Sequence, residues 1–208
     1  MSVLSDKDII GAIDQKIFSI TPFIPNNIQS ASIDLTLYKY IEIFDQSLPI
    51  DLTAISSQEL NKRNSEVDIS NGYTLLPKHY IVGYSNELLR FSTLINGRLC
   101  NRNSFARLGI NAAISSYINP GFEGRAVITI YNFGDCEIKL QEGVRICQLE
   151  LHYLHDQTIR NYCDRHDINK IYDDLELLNK KIQYDSKEPL DNPISDFLNQ
   201  RIHAAAWK

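Results

Sequence analysis

The chain has 208 residues, 43% of them hydrophobic and 23% charged, with a formal net charge of −5. That length suits one packed domain with an appendage, and the composition excludes a disordered or low-complexity chain. The acidity speaks against a duplex nucleic-acid surface, which needs a basic face.

Ser5-Asp6-Lys7-Asp8 stands ahead of Ile9 and Ile10. This predicts a helix start, with Ser5 as the cap and Asp8 reaching back to it; Ile9, Ile10 and Ile13 then form one apolar stripe. Residues 31–44, ASIDLTLYKYIEIF, place Ile33, Leu35, Leu37, Ile41 and Ile43 in alternation with polar positions, which is a strand period. Residues 45–66 are polar and predict a surface loop or insertion. From 67 to 154 short apolar runs are broken by turn signals: Asn71-Gly72, Pro77-Lys78, Asn96-Gly97, Pro120-Gly121, Phe133-Gly134-Asp135 and Glu142-Gly143. Such spacing predicts an all-β sandwich or jelly-roll-like barrel. Beyond it, Ile168, Ile171, Leu175, Leu178 and Ile182 step by three and four, as in an amphipathic helix. Residues 195–207 read as a second short helix capped by Ser195. The chain thus divides into a β domain, 1–158, and a helical extension, 159–208, whose helices offer a surface for a protein partner.

Four cysteines, Cys100, Cys136, Cys147 and Cys163, form no C-x-x-C pair and suggest no disulfide framework. The N-terminus turns polar within a few residues, and no apolar run approaches ~18 residues. The expectation is a cytoplasmic protein, cellular or viral, without a membrane segment. The five histidines, His79, His152, His155, His166 and His203, show no ligand spacing, and the H-x-E and P-C-x-x-C pattern of zinc deaminases is absent. No zinc site is expected.

Residues 97–124 carry the chemistry: GRLCNRNSFARLGINAAISSYINPGFEG. Arg102 and Arg107 flank a turn and could converge on an anion, for which guanidinium geometry is suited. On their own they read more readily as surface ion pairs or bridges between subunits. Asn119-Pro120-Gly121-Phe122-Glu123-Gly124 has the composition of a tight hairpin turn, and Thr129 is simply a good strand residue.

Taken together, the segments resemble the dCTP deaminase and dUTPase superfamily, and dCTP deaminase most. The family shows G-R-S-S-x-A-R-L-G, then I-D-P-G-F-x-G, then a strand ending in a glutamate and an asparagine. Here these are Gly97 followed by Arg102-Asn103-Ser104-Phe105-Ala106-Arg107-Leu108-Gly109, then Ile118 to Gly124, then Arg125 to Tyr131 with Asn132. LSDKDI, QSASIDLTL and Leu140–Leu149 (LQEGVRICQL, against L-x-P-G-x-R-I-x-Q-L) extend the similarity over roughly residues 3–154.

The resemblance implies a dUTPase-like distorted jelly roll or β-barrel and a homotrimer with sites between subunits. It also implies a pyrimidine deoxynucleoside triphosphate (dCTP, dUTP or dTTP) as ligand, with magnesium carried on its phosphates. Arg102, Asn103, Ser104, Arg107 and Gln148 fall on the phosphate-contacting part of the motif. Ser115, Tyr117, Ile118, Asn119, Gly121, Phe122 and Thr129 fall on the pocket for base and sugar.

The catalytic chemistry departs from the pattern. No metal activates the water in this family; a carboxylate does. That glutamate's position is Thr129, the aspartate of dUTPases falls at Asn119, and Asn103 and Tyr117 differ as well. The helical 164–208 segment also stands where the family has its closing tail. The expectation is therefore a nucleotide-binding protein without deaminase activity, serving to sense, sequester or regulate. The alternatives are an active deaminase or dUTPase whose carboxylate comes from Glu123, Asp135 or the tail, and a scaffold that binds no ligand.

Overall fold

The computed structural model describes residues 2–51, 62–159 and 162. The helices expected at 164–182 and 195–207 lie outside the described residues. The chain runs β1 (Ser2–Val3), α1 (Asp6–Asp14), β2 (Phe18–Thr21), β3 (Ile28–Gln29), β4 (Ser32–Phe44), β5 (Asn64–Asp68), β6 (Tyr73–Leu75), β7 (Tyr80–Phe91) and β8 (Ile95–Asn101). It continues through α2 (Asn103–Ala106), β9 (Ile110–Asn111), β10 (Tyr117–Ile118), β11 (Glu123–Asn132), β12 (Ile138–Leu140) and β13 (Arg145–Tyr153). The expected all-β body is present.

α1 begins as its sequence predicts. The Asp8 amide donates to Ser5 Oγ (3.3 Å) and the Ser5 amide donates back to Asp8 Oδ2 (3.2 Å), a reciprocal capping box. Ile9 is fully buried, but Ile10 is 47% exposed. The nine-residue helix presents one narrow face to the sheet, and Ile10 lies off it.

One antiparallel sheet dominates, ordered β10-β8-β13-β4-β7-β11-β9, with β1, β2, β3 and β5 pairing at its margins; β12 and β6 form a second, small ribbon. The alternation read over 31–44 is β4, whose Ile33, Leu35, Leu37 and Ile41 enter the core. The polar loop expected to residue 66 ends earlier, because β5 pairs Asn64 with Phe44 and Glu66 with Glu42. Phe18, Phe91 and Phe122 pack edge to face in the core, with ring centroids 5.0 and 6.2 Å apart.

Asn96-Gly97 is not a turn. It lies inside β8, where a Cβ on Gly97 would sit 2.8 Å from Leu149 Cδ1 and 2.9 Å from Phe91 Cζ. Glycine is there for close packing, a use that turn statistics cannot separate from a bend. The expected hairpin at Asn119–Gly124 is likewise a corner: β10 pairs with β8, whereas β11 pairs with β7 and β9.

Where β4 slips register against both β13 and β7, the buried Glu87 carboxylate fills the gap. The Thr36 amide donates to Glu87 Oε2 (3.0 Å) and the Thr36 hydroxyl to Oε1 (2.7 Å). Burial pushes the Glu87 carboxyl above its ordinary range, and the Thr36 hydrogen bonds oppose that only in part. The folded state therefore favours the protonated group. The resulting stabilisation is complete below the ordinary glutamate pKa and is lost as pH rises through the folded-state value. Glu87→Gln keeps an acceptor for the Thr36 amide and removes the proton. Its thermal midpoint is expected to fall less than wild type's as pH is raised from roughly 4; parallel pH profiles would contradict this.

Candidate functional site

β8 runs directly into the single turn α2. Arg102 takes the N-cap position with extended backbone, and the turn is closed by Gly109 at φ +75°, where a Cβ would meet the Gly134 amide nitrogen at 2.9 Å. The Phe133 amide donates to the Gly109 carbonyl at 2.7 Å. The Arg-Leu-Gly run thus ends a helical turn against a neighbouring loop, with only glycine able to fit. Asn103, Ser104 and Arg107 are all exposed on this turn.

β13 lies between β8 and β4. Gln148 is opposite Cys100 on one side and Asp34 on the other, so these three side chains share a sheet face. Asp34 is 2% exposed and gathers four donors. Gln148 Nε2 donates to its Oδ1 at 3.2 Å, and Gln29 Nε2 to its Oδ2 at 3.3 Å. Arg102 Nη1 and Arg145 Nη1 lie 3.5 and 3.4 Å from the same Oδ2. Arg102 Nη1 also donates to the Arg145 carbonyl at 3.3 Å.

Arg145 reaches this cluster because of a register shift. Arg145 is opposite Thr36 while Cys147 is opposite Leu35. Without the slip Arg145 would share the core-facing side with Cys147; a bulge re-aims it. The cluster holds two guanidinium groups against one buried carboxylate, a local excess of positive charge.

The structure therefore brings Arg102 and Gln148 together and sets Ser104, Asn103 and Arg107 on the adjoining turn. The sequence reading missed Asp34, Arg145, Gln29 and Ser32, whose Oγ accepts from Gln148 Nε2 at 3.3 Å. Asp34 and Arg145 stood within the segments QSASIDLTL and LQEGVRICQL. What marks Asp34 out is an acid in the polar phase of a strand whose apolar phase is core.

The residues expected around base and sugar separate. Tyr117 is 59% exposed on β10, its hydroxyl accepting from Asn96 Nδ2 at 3.0 Å. Ser115 is exposed nearby and Asn119 is half-buried. Ile118 and Phe122, each 6% exposed, belong to the core, where Phe122 also meets the Tyr162 ring at 5.9 Å. Gly121 is buried at φ +77°, and its amide donates to the Ser92 carbonyl at 3.2 Å.

Thr129 is half-buried on the outer face of β11, opposite Val82. Gln148 and Thr129 are three strands apart in the sheet order, and their rows cross β4 at Asp34 and Glu42, which adds roughly 26 Å along the strand to about 14 Å across it. A single chain does not assemble both halves of the expected pocket on one patch.

Across the sheet from Thr129, the same row continues through Val82 to Glu42, two spacings or roughly 10 Å away. Glu42 is 4% exposed and accepts from the Tyr84 hydroxyl and from Asn64 Nδ2 at 2.7 Å. Glu123 pairs with Arg90 at 3.4 Å, and Asp135 with Lys78 at 3.0 Å. The thiols of half-buried Cys100 and buried Cys147 are not activated either. Burial pushes Cys100 up to about 11, aided by Glu150, and pushes Cys147 higher still.

Residues 3–154 match a family model described as dCTP deaminase-like. A dUMP-forming dCTP deaminase of Tropheryma whipplei (strain Twist) is 32% identical over 148 residues, covering 71% of this chain and 76% of that protein. One from Sulfurihydrogenibium sp. is 26% identical over 160 residues, covering 77% and 88%. The crystal structure of a 2'-deoxycytidine 5'-triphosphate deaminase from Agrobacterium tumefaciens superposes with a TM-score of 0.59 at 21% identity. It shares the fold over 74% of this chain, which spans about half (48%) of that longer one.

Proposed function

The chain belongs to the dCTP deaminase-like family, and from that premise we propose that it binds a pyrimidine deoxynucleoside triphosphate without deaminating it. The observation that carries the first half is the meeting of Arg102 and Gln148 beside the exposed turn that bears Ser104 and Arg107. Cations and neutral donors gathered on one sheet face are what a triphosphate requires. The second half rests on Thr129. A hydroxyl is too weak a base for the attacking water, and Glu42, the carboxylate in its row, is held by Tyr84 and Asn64.

The spacing between the two halves of the pocket supports a site completed by a second copy of the chain, and the reading is a homotrimer. Light scattering at micromolar concentration is expected to give three times the chain mass; a monomer would contradict it. The candidate nucleotides are dCTP, dUTP and dTTP. Among the described residues no three His, Cys, Asp or Glu side chains converge, so magnesium would come with the nucleotide, on its phosphates. Residues 1–158 form the binding unit in this reading, and 159–208 serve a protein partner. We place the protein in the cytoplasm; among the described residues no helix is long and apolar enough to cross a membrane.

A thermal-shift panel of deoxynucleotides with magnesium tests the reading, because a ligand that binds only the folded state raises its stability. Arg107 is exposed, so Arg107→Ala is expected to leave the unliganded midpoint unchanged. It should also weaken nucleotide binding by roughly 1.5–3 kcal/mol, the worth of a charged hydrogen bond. Equal affinity in that mutant and wild type would remove Arg107 from the site.

A further inference from the structure

We propose that the chain carries a second ligand site, at the end of the sheet remote from the Asn119–Gly124 corner, and that it takes an unphosphorylated nucleoside. The proposal stands on observations independent of the nucleotide-binding reading above.

A cleft of about 850 Å³ opens where β4, β5, β6, β7 and β11 come together, a volume in the range of small-molecule sites. Its aromatic lining is Phe44, Tyr73, Tyr80 and Tyr131, all half-buried, so that each ring keeps an open surface. Strand register gathers three of them. Tyr131 is opposite Tyr80, and Glu42 is opposite Val82; two residues further on, the same register brings Phe44 beside Tyr80. The row crosses three strands, roughly 10 Å. The Phe133 ring packs on Tyr131, with centroids 4.2 Å apart. Half-open rings in a row are a stacking platform for planar bases, and a row of this span favours the two-ring ones. Glu123, at the corner, stands at the other end of β11 from Tyr131, roughly 26 Å away. None of the lining residues is among those that the motif places on the phosphates, base or sugar. Thr129 comes nearest, two residues back from Tyr131 on the same face.

The polar lining selects against phosphate. Its cation, Lys78, is already committed to Asp135 at 3.0 Å and to the Phe133 carbonyl at 2.6 Å. Its carboxylate, Asp45, accepts from the Ser47 amide at 2.9 Å, and the hydrogen bonds from Ser47 hold the carboxyl below its ordinary range. A phosphate would meet that negative charge with Lys78 already neutralised. His79 Nδ1 donates to the Pro77 carbonyl at 2.8 Å, which makes Nε2 of the neutral ring an acceptor. Acceptors at Asp45 and His79 suit the hydroxyl and amino donors of a nucleoside, and a carboxylate on ribose hydroxyls is a recurring contact. The wall that holds Asp45 and Ser47 belongs to the polar stretch after β4, to which the motif gives no role.

The test is calorimetric titration of the full chain with adenosine and with its 5′-monophosphate, for wild type, Tyr131→Ala, Tyr131→Phe and Asp45→Asn. Wild type is expected to bind adenosine, and the monophosphate roughly tenfold more weakly, because the added charge faces Asp45. Tyr131→Ala is expected to raise the dissociation constant for adenosine roughly ten- to a hundredfold. Tyr131→Phe keeps the ring and should stay near wild type. Asp45→Asn, at an exposed position, should narrow the gap between adenosine and the monophosphate; it carries the test if the alanine variant does not fold. Saturating dCTP should leave adenosine binding unchanged. A wild-type protein that does not bind adenosine overturns the inference and leaves the proposed function standing. Adenosine affinity untouched by Tyr131→Ala and Asp45→Asn, or adenosine displaced by dCTP, puts the ligand elsewhere and overturns it too. Adenosine binding without dCTP binding supports the second site and overturns the nucleotide reading instead.

Discussion

Asp34→Ala is expected to lower the stability of the fold by about 3 kcal/mol. The side chain is 2% exposed and holds Arg102, Arg145, Gln148 and Gln29. Removing one partner of a buried ion pair costs roughly 3–5 kcal/mol, because the remaining charge is stranded. The lower end applies because Arg102 and Arg145 are 26% and 44% exposed and can turn toward water. Asp34→Asn keeps an acceptor for Gln148 and should cost clearly less. Urea unfolding of both variants checks this. A loss within about 0.5 kcal/mol for the alanine variant, the range of ordinary surface substitutions, would show that the cluster contributes nothing to the fold.

The second large effect concerns turnover. The wild-type protein is expected to convert dCTP to dUTP, and dUTP to dUMP, well below roughly 1 s⁻¹, the low end of typical enzymes. Loss of a general base alone costs about 10²–10⁴ in rate. Here two such positions are vacant of carboxylate: Thr129 where the deaminase glutamate belongs and Asn119 where the dUTPase aspartate belongs. The structure offers no nearby replacement among the described residues. Glu42 is buried under Tyr84 and Asn64, while Glu123 and Asp135 are paired with Arg90 and Lys78. Ammonia and pyrophosphate release by wild type is the decisive measurement; turnover above that rate would mean that a carboxylate reaches the base by another route. Thr129→Glu places an acid on the outer face of β11 and is expected to raise deamination above wild type.

Ser5 and Asp8 cap α1 because both are within one turn of each other, and that could be read directly. The alternation in 31–44 is β4, since one face of that strand is core, and the R-L-G run ends a turn as its glycine requires. The motif residues were likewise legible as a group, and the family they indicate is the one the chain belongs to. The packing of Gly97 and Phe122 was not legible, for a shared reason. A glycine after asparagine signals a turn by local statistics, but here it is squeezed by Leu149 and Phe91, which arrive from other strands. Phe122 sits in a loop of turn composition, yet packs on Phe91 and Tyr162.

The sequence by itself determined the elements whose cause is short-range, namely the capped helix, the period-two strands and the residue types of an anion site, together with the absence of a carboxylate at Thr129. Only the tertiary structure decided which of those residues meet. Asp34 and Arg145 lie 111 positions apart, and they share a sheet face only because β13 slips register against β4. Such a slip is set by the packing of whole strands against one another, and a one-residue change in pairing turns every following side chain to the other face.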